Sequence, residues 1–149
     1  MLNLPRPELC NCLAVRQAAR HVTQFYDQCL APTGLRTTQF SILAKLKRLG
    51  PMTINALARD LVMDRTTLGR NILPLERERL IEIAAGRADR RSKELHLTEA
   101  GLARLNDGIE RWTEAQARFE AAFGEARAAE MRSLMRDVST TELGTASGV

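Results

Sequence analysis

Apolar positions along this 149-residue chain recur with two different periods, and the change of period separates its parts. Leu9, Cys12, Val15, Ala19, Val22, Tyr26 and Cys29 follow one another at three- and four-residue steps, the spacing of a single buried stripe on a helix over residues 8–30. Ala31-Pro32-Thr33-Gly34 stops it, since proline cannot continue the hydrogen-bond ladder and glycine tolerates the turn. A second helix starts at Thr37 or Thr38, either of which can cap it, buries Phe40, Leu43 and Leu46, and ends at Gly50-Pro51. A short helix follows over residues 54–61, then a turn through Val62 and Met63. Asp64 is placed to cap a further helix running towards Arg79. Two short helices joined by a tight turn make a helix-turn-helix candidate.

The period then drops to two. Ile81 and Ile83 alternate with Glu82 and Ala84, and Leu95 and Leu97 alternate with Glu94 and His96. With Gly86-Arg87-Ala88-Asp89-Arg90-Arg91 between them, these segments predict a two-stranded hairpin with a long basic tip, a wing. Thr98 opens a long helix with the stripe Leu102, Leu105, Ile109, Trp112, Phe119 and Phe123, interrupted at Gly124. A last helix covers residues 125–138, and the polar tail from Ser139 is expected to fray. The fold class expected is mainly α with a small two-stranded β wing, a winged helix-turn-helix with dimerisation helices at both ends. We expect a single domain over residues 1–149, with a reading region at about 37–97 between terminal helices at about 8–30 and 98–138. The terminal stripes are longer than one small winged domain can cover. Pairing with a second copy buries them and sets two reading helices side by side for a pseudo-palindromic site.

Composition narrows the function. Apolar residues make up 44% and charged residues 27%, but aromatics only 4%, so the core rests on aliphatic side chains. No stretch approaches an uncharged membrane span, and the opening MLNLPRPELCNC has no basic segment followed by an apolar run, so neither membrane insertion nor a secretory signal is expected, and the cytoplasm is. Between Asp64 and Lys93, eight basic residues stand against five acidic ones, which places +3 of the net +4 charge in a fifth of the chain. A local basic surface of this kind attracts phosphate. Two histidines, no Ser-His-acid grouping, no glycine-rich phosphate loop and no metal-ligand cluster argue against an enzyme, a metal site or a cofactor. Cys10, Cys12 and Cys29 lack the spacing of a zinc site or a disulfide framework.

The order of elements and several short segments together resemble the MarR family of bacterial regulators. The matches are Gly34-Leu35 and Gln39-Phe40, Thr53-Ile54-Asn55-Ala56-Leu57-Ala58, Asp64-Arg65-Thr66-Thr67, Leu75 to Ile81, Asp89-Arg90-Arg91, and Leu97-Thr98-Glu99-Ala100-Gly101. Two departures stand out. Arg79 occupies a position where the family usually has glycine, so that turn must be made without it. Pro74 falls inside the recognition helix and is expected to kink it at the carbonyl of Arg70.

The resemblance implies a homodimeric repressor of double-stranded DNA. Arg65, Thr66, Thr67, Arg70 and Asn71 fall on the part of the second helix that enters a major groove, where arginine can grip guanine and asparagine adenine. Asn55 and Thr53 are placed to touch phosphate. In the wing, Asp89 and Arg91 match the family's salt-bridged pair, which leaves Arg87 and Arg90 to reach a minor groove and Lys93 a phosphate. For sensing, two chemistries compete. Counting back from Gly34-Leu35, Cys12 falls where the organic-hydroperoxide-sensing branch carries its reactive cysteine, and Tyr26 on a tyrosine that partners it. Arg16, one turn after Cys12, favours a thiolate. Cys10 is a possible resolving thiol across a dimer, although on one continuous helix it and Cys12 project to opposite sides. The other chemistry is a pocket for a small aromatic acid, with Arg16, His21 and Tyr26 as anchors and Phe40 and Trp112 as walls. A winged helix used only for protein–protein contact is the alternative, and salt-dependent duplex binding discriminates it.

Overall fold

The computed structural model describes residues 4–144. Six α-helices and a three-stranded antiparallel sheet follow in the order α1 (Asn11–Leu30), α2 (Thr37–Leu49), β1 (Met52–Thr53), α3 (Ile54–Asp60), α4 (Arg65–Arg77), β2 (Ile81–Ala85), β3 (Lys93–Leu97), α5 (Glu99–Phe123) and α6 (Glu125–Thr140). The chain divides into a larger unit up to Ala115 and a smaller one from Gln116 onward, with α5 running through the boundary.

The core of the larger unit gathers Leu30, Leu35, Phe40, Leu43 and Leu46 with Leu57, Leu68, Ile72, Leu75, Leu80, Ile81, Leu95 and Leu105. In α4 the buried side chains are Leu68, Ile72 and Leu75, spaced i, i+4, i+7 on one face. Each contributes about 1.5–3 kcal/mol by leaving water. That stripe fixes which face of α4 turns outward.

Several boundaries differ from the sequence expectation. α1 does not begin at Glu8: Pro7–Leu9 form a single 3-10 turn, and Cys10, in extended backbone, caps a helix that starts at Asn11. Only Leu30 of α1 is buried, so most of the stripe expected to be covered stands at the surface of the single chain, with Val15 among its exposed residues. Neither Thr37 nor Thr38 caps α2. The Gln39 side chain accepts the Arg36 N–H at 3.0 Å, and Asp27, from the last turn of α1, accepts the Thr37 N–H at 2.7 Å. The β2–β3 hairpin forms the expected wing, and a third strand joins its sheet: β1 adds to the outer edge of β3, with Met52 opposite Leu95 and Thr53 opposite Glu94. A two-residue strand has no period to read, and only its partner makes it one.

β2 and β3 pair from Ile81↔Leu97 to Ala85↔Lys93. α4 continues through Pro74 to Arg77 and closes at Arg79, whose φ of 56° is left-handed. The Leu80 N–H reaches back to the Leu75 carbonyl at 2.9 Å, so the glycine-free turn is made by a strained arginine. Thr98 then ties α5 to this turn. Its hydroxyl donates to the Arg79 carbonyl at 2.7 Å and accepts the Gly101 N–H at 3.0 Å. A Cβ on Gly101 would overlap the Leu80 carbonyl oxygen, so the start of α5 packs directly on backbone.

In the smaller unit, Gly124 at φ 105° separates α5 from α6. Phe119 and Phe123 lie 5.4 Å apart, the Arg127 guanidinium sits 4.3 Å over the Phe123 ring, and Arg132 pairs with Glu120 at 3.3 Å. The α6 helix runs two residues beyond its expected end, and of the tail expected to fray, residues 145–149 lie outside the described residues.

Candidate nucleic-acid interface

Asp64 sets the start of α4. Its carboxylate accepts the Thr67 N–H and the Thr67 hydroxyl, each at 2.8 Å. Those bonds, the backbone one first, hold its pKa below the usual carboxylate value. Thr67 is thereby committed to the cap. Asn71 is committed too, since its amide donates to the Thr67 carbonyl at 2.9 Å, folding the side chain back on its own helix. Of the five residues expected to face a major groove, Arg65, Thr66 and Arg70 stand exposed, and none of them makes an ion pair or side-chain hydrogen bond among the described residues.

Thr53, expected to touch phosphate, also has a capping part. Its hydroxyl accepts the Ala56 N–H at 3.1 Å and caps α3. Asn55, exposed in the first turn of that helix, stays free of such duty.

At the wing tip, the expected Asp89–Arg91 salt bridge is not formed. The Asp89 carboxylate instead accepts the Arg91 backbone N–H at 2.9 Å, an Asx turn that shapes the tip and releases the guanidinium. Ser92 closes the loop through its hydroxyl to the Asp89 carbonyl at 2.7 Å, and its own carbonyl accepts the Gly86 N–H at 2.8 Å. Gly86 leaves no room for a Cβ against Ser92 and Asp89. Below the tip, one Glu94 oxygen accepts the Arg87 N–H at 3.1 Å, while the other lies 3.4 Å from His96 Nε2. Ser92, Gly86 and Glu94 were not expected as wing-shaping residues, because nothing in a hairpin's alternation distinguishes them.

The wing tip, α3 and the start of α4 meet at an open cleft of about 410 Å³. Thr53, Ile54, Asn55, Arg65, Arg91, Ser92 and Lys93 line it, three cations with no carboxylate. The wing arginines do not all share it. Arg90 borders a second hollow with Glu76 of α4, and Arg87 faces a third beside Leu46 and Lys47 of α2. The structure therefore brings Asn55, Arg65, Arg91 and Lys93 together and places Arg87 elsewhere.

Of the sensing candidates, Cys10, Cys12 and Arg16 are exposed, and Tyr26 is half-buried with its ring edge-on to Phe25 at 5.6 Å. Cys10 Sγ accepts the Leu13 N–H at 3.4 Å. Because Cys10 precedes the helix, it does not project from the far side of α1 as expected. Phe40 and Trp112 stack at 6.1 Å and 21°, packed on each other within the chain. No described group of three or more metal-ligating side chains exists, and no described helix is long and apolar enough to cross a membrane.

A family model described as the MarR family matches residues 35–93. No curated protein matches the chain by sequence. Among solved structures, the M. tuberculosis transcriptional regulator MOSR in complex with DNA is 35% identical, with a TM-score of 0.76, over 90% of this chain and 99% of that one. A probable transcriptional regulator from Pseudomonas aeruginosa is 26% identical with a TM-score of 0.77, over 89% and 99%. Bordetella bronchiseptica BpsR, described as regulated in its DNA binding by 6-hydroxynicotinic acid, is 18% identical with a TM-score of 0.81, over 94% and 100%, a likeness of fold.

Proposed function

The chain belongs to the MarR family of transcriptional regulators, and from that membership we propose that it is a repressor holding duplex DNA as a homodimer, with no catalytic step of its own. The observation that carries the proposal is the cationic cleft where Asn55 of α3, Arg65 of α4, and Arg91 and Lys93 of the wing converge. A duplex phosphate fits its charge, while Thr66 and Arg70 on the outward face of α4 meet base edges in the major groove. Arg87 and Arg90 extend the basic surface along the flanking groove.

Exposed apolar side chains on the terminal helices support the dimer. Val15 on α1 and Ile109 and Trp112 on α5 stand in water in the single chain, as do Leu134, Met135 and Val138 on α6. A cytoplasmic location suits such a regulator.

Release from DNA is assigned to an effector acting near α1. The first effector chemistry is oxidation of the exposed Cys12 thiol, with Arg16 and Tyr26 on the same helix and Cys10 as resolving thiol. The second is a small aromatic acid, as described for the Bordetella neighbour.

The test is a titration of duplex from the chain's own upstream region at several salt concentrations. Arg91→Ala is expected to flatten the dependence of log K on log salt by about 1 if it neutralises one phosphate. Arg70→Ala is expected to cost about 1–3 kcal/mol of specific binding. Binding that ignores salt sinks the DNA assignment and favours a protein–protein module. Repeating the titration with organic hydroperoxide separates the effectors. If Cys12→Ser still releases DNA on oxidation, or the parent never does, the thiol switch is wrong.

A further inference from the structure

Glycine is among the least favourable residues in a helix interior, and Gly69 sits in the middle of α4, the reading helix. Elsewhere in the chain a buried helical glycine has an internal reason. A Cβ on Gly101 would overlap the Leu80 carbonyl, and one on Gly108 would come 2.9 Å from the Phe40 ring. Gly69 has none. Its φ is not positive, it ends no helix, and a Cβ built on it meets nothing within 4 Å. The space it leaves is open to the outside.

That space lies on the flank of the helix, about 100° round from the buried Leu68, where Gly69 itself is half-buried. Thr66, Gly69, Arg70 and Leu73 follow at i, i+3, i+4 and i+7, so the bare backbone is flanked by a threonine, an unpaired guanidinium and an apolar side chain that is 49% exposed. A helix with its side chains is about 10–12 Å across and the major groove about 12 Å wide, so a position without a side chain on the inward face lets the helix sit closer to the bases. The group that projects furthest from a base edge into that groove is the thymine methyl, and Leu73 supplies an apolar neighbour for it.

We propose that Gly69 is a specificity-determining position, kept bare because a thymine methyl of the bound duplex occupies the space a Cβ would fill, with Leu73 packing beside it. This rests on the proposal that α4 reads DNA, and the test separates the two.

A duplex is selected from a random pool with the parent protein. The parent and Gly69→Ala are then titrated on it and on versions in which each thymine in turn is replaced by deoxyuridine, which lacks the methyl. On the selected duplex, Gly69→Ala is expected to bind at least tenfold more weakly. One particular deoxyuridine replacement is expected to restore most of that loss while weakening the parent. The variant is expected to melt about 2–4 °C higher than the parent, since alanine is the better helix former, so a misfolded protein cannot imitate the result. Equal binding by parent and variant, or a loss that no deoxyuridine restores, overturns the assignment of Gly69 and leaves DNA reading intact. A parent that enriches no sequence overturns both.

Discussion

Arg79 closes α4 in a backbone conformation that L residues avoid, and Arg79→Gly is expected to stabilise the protein. Its φ is 56°, and the bonds that hold the turn are made by backbone: Arg79 N–H to the Glu76 carbonyl at 3.0 Å and Leu80 N–H to the Leu75 carbonyl at 2.9 Å. The Thr98 hydroxyl also lands on the Arg79 carbonyl. All three survive removal of the side chain, which is exposed and makes no ion pair among the described residues. The left-handed conformation costs an L residue about 1–2 kcal/mol, whereas glycine loses about 0.5–1 kcal/mol more chain entropy on folding. The difference favours glycine by about 0.5–1 kcal/mol, or about 1–4 °C in Tm for a chain of this length. The assay is thermal denaturation followed by circular dichroism, at matched protein concentration because association also moves the midpoint. Arg79→Ala is the control: it removes the same charge and stem but keeps a Cβ, so it should show no gain. A Tm for Arg79→Gly no higher than that of Arg79→Ala refutes the reasoning.

The remaining predictions concern packing and capping. Gly108→Ala puts a Cβ 2.9 and 3.0 Å from two carbons of the Phe40 ring, which is itself stacked on Trp112. Overpacking of this kind costs about 1–3 kcal/mol against the ~1 kcal/mol alanine gains in a helix, so a lower urea midpoint is expected, and an unchanged one means the ring yields freely. Asp64, with its pKa lowered by the Thr67 bonds, contributes stability that is present above the unfolded carboxylate pKa of about 3.9 and is lost as pH falls through the lower folded value. Asp64→Asn keeps an N-cap without the charge. Its stability should therefore stay near the parent's at neutral pH and fall less steeply in acid, and identical acid limbs in urea titrations would remove Asp64 from the cause.

The periods of the sequence determined much of this protein. Stripes at three- and four-residue steps fall on one face of any helix, so the core of α2 and α4, the hairpin of β2 and β3, and the Asp64 cap were all legible from local spacing. The turn at Arg79 was legible as a place where a glycine was missing, though the left-handed arginine and its Thr98 bond required the fold. Tertiary structure decided what depends on a distant partner. β1 exists because β3 lies beside it, and α2 is capped by Asp27 from another helix. Thr67 and Asn71 are drawn into the helix's own hydrogen bonds, which leaves Arg65, Thr66 and Arg70 as the exposed side chains of that stretch without such a bond. Asp89 spends its carboxylate on a backbone N–H, and this frees Arg91 for a cleft built from three separated segments. Residue type and spacing state what a side chain is able to bond. Which of the competing partners it reaches is set by the distances that folding creates, and those are not a function of local sequence.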